Sequence, residues 1–188
     1  PVDNRPILEL PVGPMNMKNI DDTLPKMAKI IQELLDSHPD ESGVIHTHTY
    51  KIAKYLKENV KTDRFLMHDS DNRDEILREH IESDKPTVLL SPSMSEGVDL
   101  RDDCSRFQII CKIPYPFLGD LQVKKRMNRW PGWYPLQTAK TIVQSVGRSI
   151  RSDEDYAVTY ILDSQWAYFY KKNKKFFPID FQNCLRSA

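Results

Sequence analysis

A chain of 188 residues, 39% of them hydrophobic and 29% charged, has the length of one domain and the apolar content of one globular core. Its 27 basic and 27 acidic residues cancel, so any electrostatic role must lie in how charge is distributed. No window approaches the ~18 apolar residues of a membrane span, the start PVDNRPILEL lacks a secretion signal, and Cys104, Cys111 and Cys184 have neither CxxC spacing nor an even count. The sequence therefore reads as cytosolic, its cysteines suit a reducing compartment, and three thiols cannot furnish four ligands to a zinc or iron–sulfur site.

In chain order, PVDNRPILELPVGPMN is proline-rich and reads as an extended linker over residues 1–20. The first residue is proline rather than methionine, which points to a piece of a longer chain. DDTLPKMAKIIQELLDSHP then spaces Leu24, Met27, Ile30, Ile31, Leu34 and Leu35 at helical intervals. GVIHTH is a short β-rich run, and TYKIAKYLKENV carries Ile52, Ala53, Leu56 and Val60 on one helical stripe, with Thr49 placed to cap it. RFLMH, DSDNRDEILREHIES and TVLLSPS repeat this strand and helix alternation. FQIICKIP, PLQTAKTIVQSVGRSIR and YAVTYILD repeat it again. Short apolar strands separated by amphipathic helices predict an α/β domain of three layers, a mostly parallel central sheet covered by helices on both faces. The stretch from Pro114 to Tyr134 exceeds an ordinary α/β connection and, carried to residue 136, is expected to be a long functional loop.

Charge is unevenly spread. From Asp69 to Asp84 there are seven acids and two arginines, whereas Lys124, Lys125, Arg126, Arg129, Lys140, Arg148 and Arg151 lie in a stretch with no acid. A one-sided basic stretch of this size suits an anion such as phosphate or nucleic acid, against the plainer reading of a solvated basic face. No glycine is followed by lysine and no GxGxxG occurs, so neither a P-loop nor a dinucleotide fingerprint can be written. In QSVGRSIRS, read as helix, Gln144, Arg148 and Arg151 fall within an arc of about 60°. Gly147 leaves a bare patch beside them. Two guanidiniums with that patch suit a polyphosphate, because arginine is always charged and donates in a rigid fork.

The turn MSEGVDLRDD, after the strand TVLLSPS, sets Glu96, Gly97 and Asp99 at a strand's carboxyl end, where α/β sheets bind ligands. Its carboxylates can accept from ribose hydroxyls, water or a neighbouring arginine. His46 and His48, two apart on a strand, share a face, but no third metal ligand of fitting spacing accompanies them. Lys171, Lys172, Lys174 and Lys175 read as a solvated helix end. Trp130, Trp133 and Tyr134 either stack on a base or fold the long loop down on the domain, the second being favoured.

SEGVDL, QSVGRSIR and YILD together resemble helicase motifs V and VI, and HTHTYKIAKYL resembles motif IV, of the XPD/DinG-like group of superfamily 2 DNA helicases. NRPILELPVGPMN, KIPYPFLGDLQVKKRM and YILDSQWAYFYKK are similar to the segments around those motifs, so the likeness covers essentially the whole chain. The resemblance implies a RecA-like C-terminal motor domain, residues 1–188, of an ATP-dependent helicase. It implies that ATP and Mg²⁺ are bound mainly by an N-terminal RecA-like domain of the same polypeptide, and that an iron–sulfur cluster, if any, belongs there. It implies Arg148 and Arg151 as the arginines that reach the triphosphate, with Gln144 and Gly147 beside them. Glu96, Gly97 and Asp99 become the turn that couples nucleotide state to DNA grip. Thr49, Ser93, Lys124, Lys125 and Arg126 become contacts to single-stranded DNA, with 5′ to 3′ translocation by analogy. It further implies a location in the bacterial cytoplasm with the nucleoid, or in a eukaryotic nucleus. His46 and His48 depart from the apolar or aromatic residues usual there. Two other readings stay open on the residues themselves: a nucleic-acid-binding module without nucleotide chemistry, and a small-molecule α/β domain whose arginines bind an unrelated anion.

Overall fold

A computed structural model describes residues 2–69, 71–92, 100, 102–147, 149–150 and 155–186. The strands are β1 (Ile7–Gly13), β2 (Gly43–His46), β3 (Phe65–Met67), β4 (Val88–Ser91), β5 (Phe107–Ile110), β6 (Val158–Asp163) and β7 (Leu185–Arg186). They form one sheet in the order β3-β4-β2-β5-β6-β1-β7, and each neighbouring pair is parallel. Helices α1 (Ile20–Ser37), α2 (Tyr50–Asn59), α3 (Arg73–Glu82), α4 (Leu121–Arg129), α5 (Trp133–Val146), α6 (Trp166–Asn173) and α7 (Ile179–Cys184) join and flank them.

The apolar strand runs follow from burial on both faces. Ile45, Phe107 and Ile109 point into a core with Leu24, Met27 and Ile31 of α1 and Ile52 and Leu56 of α2. Their strand neighbours point the other way: Ile110 packs with Ala139 and Ile142 of α5, and Val44 with Leu89 and with Ile76 and Leu77 of α3. Residues one apart on a strand thus serve opposite layers, so neither face can be polar. Trp166, Phe169, Phe177 and Phe181 close the second layer with ring centroids 4.9–6.5 Å apart. Gly43 admits this packing at the sheet centre, since a Cβ there would lie 2.4 Å from the Phe107 ring.

Two segments differ from their sequence reading. Residues 7–13, expected as part of a linker, form β1 between β6 and β7. Pro11, which lacks a ladder donor, falls where the β1–β6 register shifts between Glu9 and Gly13, so the strand tolerates it. The stretch expected to be an irregular loop holds α4 and the start of α5. Asp120 caps α4 by accepting from Gln122 N at 2.7 Å and Val123 N at 3.4 Å. No residue of α4 is buried, which is why burial periodicity did not reveal it.

Candidate functional site

After β4 the chain returns across β2 to form β5 on the other side, and at such a reversal a parallel sheet opens a crevice at its carboxyl ends. A groove of about 1040 Å³ lies there. Met15 beyond β1, His48 and Thr49 beyond β2, Pro92 beyond β4, Lys112 beyond β5 and Asp163 at the end of β6 all line it. Its outer lip is formed by Tyr115, Phe117 and Gly119, and Trp133 and Tyr134 line it from the start of α5.

Asp163 ties these ends together. Its Oδ1 accepts from Met15 N at 3.3 Å and Gln165 N at 3.0 Å, and its Oδ2 from Ile113 N at 3.0 Å. Burial pushes its carboxyl above the usual range, and the three backbone donors oppose that rise. Tyr115 is pushed up to about 12, first by burial and then by the Asp163 charge. Tyr134 stacks on Tyr115 with ring centroids 5.9 Å apart, and its hydroxyl donates to Pro116 O at 2.9 Å. The aromatic group divides accordingly. Tyr134 folds down on the domain, Trp133 is half-buried and Trp130 is exposed.

Thr49 caps α2 as its sequence predicts, its hydroxyl accepting from Ile52 N at 3.3 Å, and it faces the groove. The turn from β2 into this cap is made by His48, a non-glycine residue at φ 62°. The two histidines do not share a face. His46 is buried with its Nε2 donating to Gln108 Oε1 at 3.1 Å, whereas His48 donates to Tyr115 O at 3.4 Å. Burial holds His48 below the ordinary histidine range. Lys124, Lys125 and Arg126 are exposed on α4, which follows the groove lip directly, and the Arg126 guanidinium lies 5.8 Å from the Trp133 ring centre.

The motif VI stretch sits elsewhere. Helix α5 stops at Val146, Gly147 is its C-cap with an ordinary φ of −72°, and Ser149 and Ile150 are not helical. The helical arc drawn from Gln144 to Arg151 therefore does not apply, because the chain leaves the helix between them. Gln144 is exposed on the last turn of α5. Gln108 Nε2 donates to Val146 O at 3.1 Å, the buried Ser149 hydroxyl lies 2.5 Å from that of Ser105, and Arg106 holds Asp155 at 2.6 Å. Ser105 and Arg106 directly precede β5, so the residues flanking Arg148 are pinned at the amino end of β5, opposite the groove. Arg148, Arg151, Ser93, Glu96, Gly97 and Asp99 lie outside the described residues.

Sequence reasoning missed Lys112, Tyr115, Phe117 and Asp163. Nothing in their spacing marks them, since they meet only when the ends of β1, β5 and β6 come together. Cys111 packs in the core with α1 and α2 and Cys184 in the core with α5 and α6, so this chain's thiols do not fit an iron–sulfur cluster. No described helix is long and apolar enough to cross a membrane.

Residues 31–183 match the helicase C-terminal domain family. The chain is 28% identical over 136 residues, 60% of its length, to the ATP-dependent DNA helicase CHL1 of Vanderwaltozyma polyspora. It is 30% identical over 90 residues, 39% of its length, to a regulator of telomere elongation helicase 1 homolog of Caenorhabditis briggsae. It spans 16% and 9% of those two proteins. Among solved structures, S. tokodaii Xpd4 has a TM-score of 0.71 over 98% of this chain and 38% of that one, at 16% identity. The C-terminal domain of S. cerevisiae Dbp5 has a TM-score of 0.61 over 98% of this chain and 89% of that one, at 14% identity. At these identities the structures establish the RecA-like α/β fold.

Proposed function

Because the chain belongs to the helicase C-terminal domain family, we propose that it is the second motor half of an ATP-dependent DNA helicase. It would complete an ATP cleft with an N-terminal RecA-like domain and hold single-stranded DNA, moving along it 5′ to 3′ by analogy with the XPD/DinG-like group. The observation that carries this reading is the family match over residues 31–183, a span that includes most of the groove lining and the motif VI stretch.

Each surface has a distinct task. At the amino end of β5, Arg148 and Arg151, with Gln144 and Gly147, reach the phosphates of an ATP held on the partner domain, where Mg²⁺ is also bound. Their fixed fork would stabilise charge on the transferring phosphoryl group, and the described residues on either side, Val146, Ser149 and Asp155, are anchored to the segment around the start of β5. At the carboxyl ends, Thr49 and Ser93 meet the DNA backbone, and Lys124, Lys125 and Arg126 attract its phosphates. Glu96, Gly97 and Asp99 fall between β4 and β5 in the chain, which suits the role of a turn that couples nucleotide state to DNA grip.

A titration of single-stranded DNA onto this chain at several salt concentrations tests the reading. Binding should be weak, indifferent to base sequence and steeply reduced by salt, because displaced counterions supply most of its free energy. Affinity that stays flat as salt rises, or a strong preference for one sequence, would remove the nucleic-acid grip from the proposal. The runner-up, a nucleic-acid-binding module without nucleotide chemistry, predicts the same titration and separates only in the ATP experiment argued below.

A further inference from the structure

We propose that the groove admits an unpaired base stacked on the ring of Phe117, so that the domain holds a strand by a base as well as by its backbone. The inference rests on the nucleic-acid reading above and adds a ligand subsite to it.

Three features of the groove carry it. First, the lining suits the flat apolar face of a base better than a phosphate: Met17, Tyr115, Phe117, Leu118 and Trp133 contribute accessible surface to it, and among the described lining residues Lys112 is its one lysine or arginine. Second, Phe117 is 79% exposed and yet held in place. A Cβ on Gly119 would lie 2.2 Å from the Phe117 ring, so the ring rests directly against the bare Cα of Gly119. An aromatic ring that covers no core but is braced against backbone is a prepared stacking surface. Met17, 94% exposed, lines the same groove and offers a soft thioether edge to a ring. Third, the lip runs through Asp120 into α4, whose exposed Lys124, Lys125 and Arg126 complement the phosphates of a strand crossing that lip. Charge on α4 and apolar surface on the lip match the two chemical halves of a nucleotide.

The experiment is a cycle of two strands and two proteins, read by fluorescence anisotropy. One strand carries thymine at every position, and the other has the same length of backbone without bases. The wild-type chain should bind the thymine strand roughly tenfold more tightly, the range expected for one stacked base. Phe117→Ala should lower affinity for the thymine strand by about that factor and leave the abasic strand unchanged, with the same salt slope for both. Phe117→Trp should restore the difference. Gly119→Ala, which pushes the ring aside without deleting it, should reduce the difference too. Because Phe117 is exposed, its alanine variant should melt with the wild type. Equal wild-type affinity for the two strands overturns the base site while leaving a salt-dependent backbone grip intact. An equal loss on both strands in Phe117→Ala also overturns it and makes the lip a covered protein surface. Absence of binding to either strand at low salt removes the nucleic-acid reading itself.

Discussion

Asp163 shows how one side chain can set the shape of a site by holding the backbone around it. Three chain segments, at Met15, Ile113 and Gln165, converge on its two oxygens, and each donates a backbone N–H. Burial alone would favour the protonated acid, but a protonated carboxyl would turn one oxygen into a donor facing another donor. Asp163→Asn keeps the size of the side chain and introduces that same conflict permanently. The loss of charge-assisted hydrogen bonds should cost about 2 kcal/mol, measured as a lower urea midpoint at unchanged slope. Single-stranded DNA binding should fall with it, because Met15 and the lip after Ile113 would lose their common anchor. A variant as stable as wild type would mean that the three donors are satisfied elsewhere. Gln108 works similarly within β5, its Oε1 accepting a hydrogen bond from His46 Nε2 and its Nε2 donating one to the Val146 carbonyl, so that the last turn of α5 is tied to β2 through β5.

At the scale of elements, the attachment of α3 is expected to weaken on acidification. This helix buries little apart from His80, whose Nε2–H donates to Cys104 O at 2.9 Å and whose Nδ1 accepts from the Thr87 hydroxyl at 2.7 Å. Burial holds His80 below the ordinary histidine value, and the bond to the Cys104 carbonyl only partly offsets this. The unfolded chain therefore takes up its proton near about pH 6.5, while the folded chain does so only at lower pH. Between those two points the unfolded state binds more protons, so stability rises with pH there, is full above the ordinary value and is lost on acidification. His48 has the same sign. Urea midpoints taken from neutral to mildly acidic pH should fall, and His80→Gln, which can keep both hydrogen bonds but does not titrate, should flatten part of that fall. An unaltered pH profile in the variant would remove His80 as its cause. The same scale shows what the sequence could disclose. Helices α1, α2, α3 and α5 were legible from helical apolar spacing, and strands β2 to β6 as short apolar runs between them, because a central strand of a parallel sheet is apolar on both faces. Strand β1 was hidden by Pro11 and the prolines on either side of it, which usually mark linkers, whereas Pro11 here falls at a register shift. Helix α4 was hidden because none of its residues is buried. Thr49 was legible as a cap, since capping is local, whereas Asp163, Lys112 and Phe117 gain meaning only from strand ends distant in sequence.

Taken whole, the molecule is a rigid sheet with a different kind of surface at each end of its strands. Four residues of β5 separate the groove from the anchors around Arg148, roughly 13 Å at the usual rise of a strand. A nucleotide and a strand of DNA could thus be held by one domain without sharing contacts, and this arrangement makes their roles separable by mutation. This chain has arginines but no phosphate cradle, so alone it should bind ATP weakly and not hydrolyse it. Robust hydrolysis by the purified chain would refute the half-motor reading. Joined to an N-terminal RecA-like domain carrying a P-loop, it should support turnover, and replacing Arg148 or Arg151 by alanine should then lower turnover far more than ATP affinity, because their help is strongest when charge develops on the phosphates. Arginine fingers contribute roughly 10³ to 10⁵ in rate, so even a partial role should be measurable in a steady-state ATPase assay. Arg148→Lys should fail as well, since lysine keeps the charge but not the planar pair of donors. Single-stranded DNA binding without nucleotide should survive all three changes, because the proposal assigns the strand to the groove and α4. Near-normal ATPase in the alanine variants would show that this stretch does not sense the nucleotide. Loss of DNA binding with turnover intact would reassign the arginines to the strand, leaving the cleft to be completed by other residues.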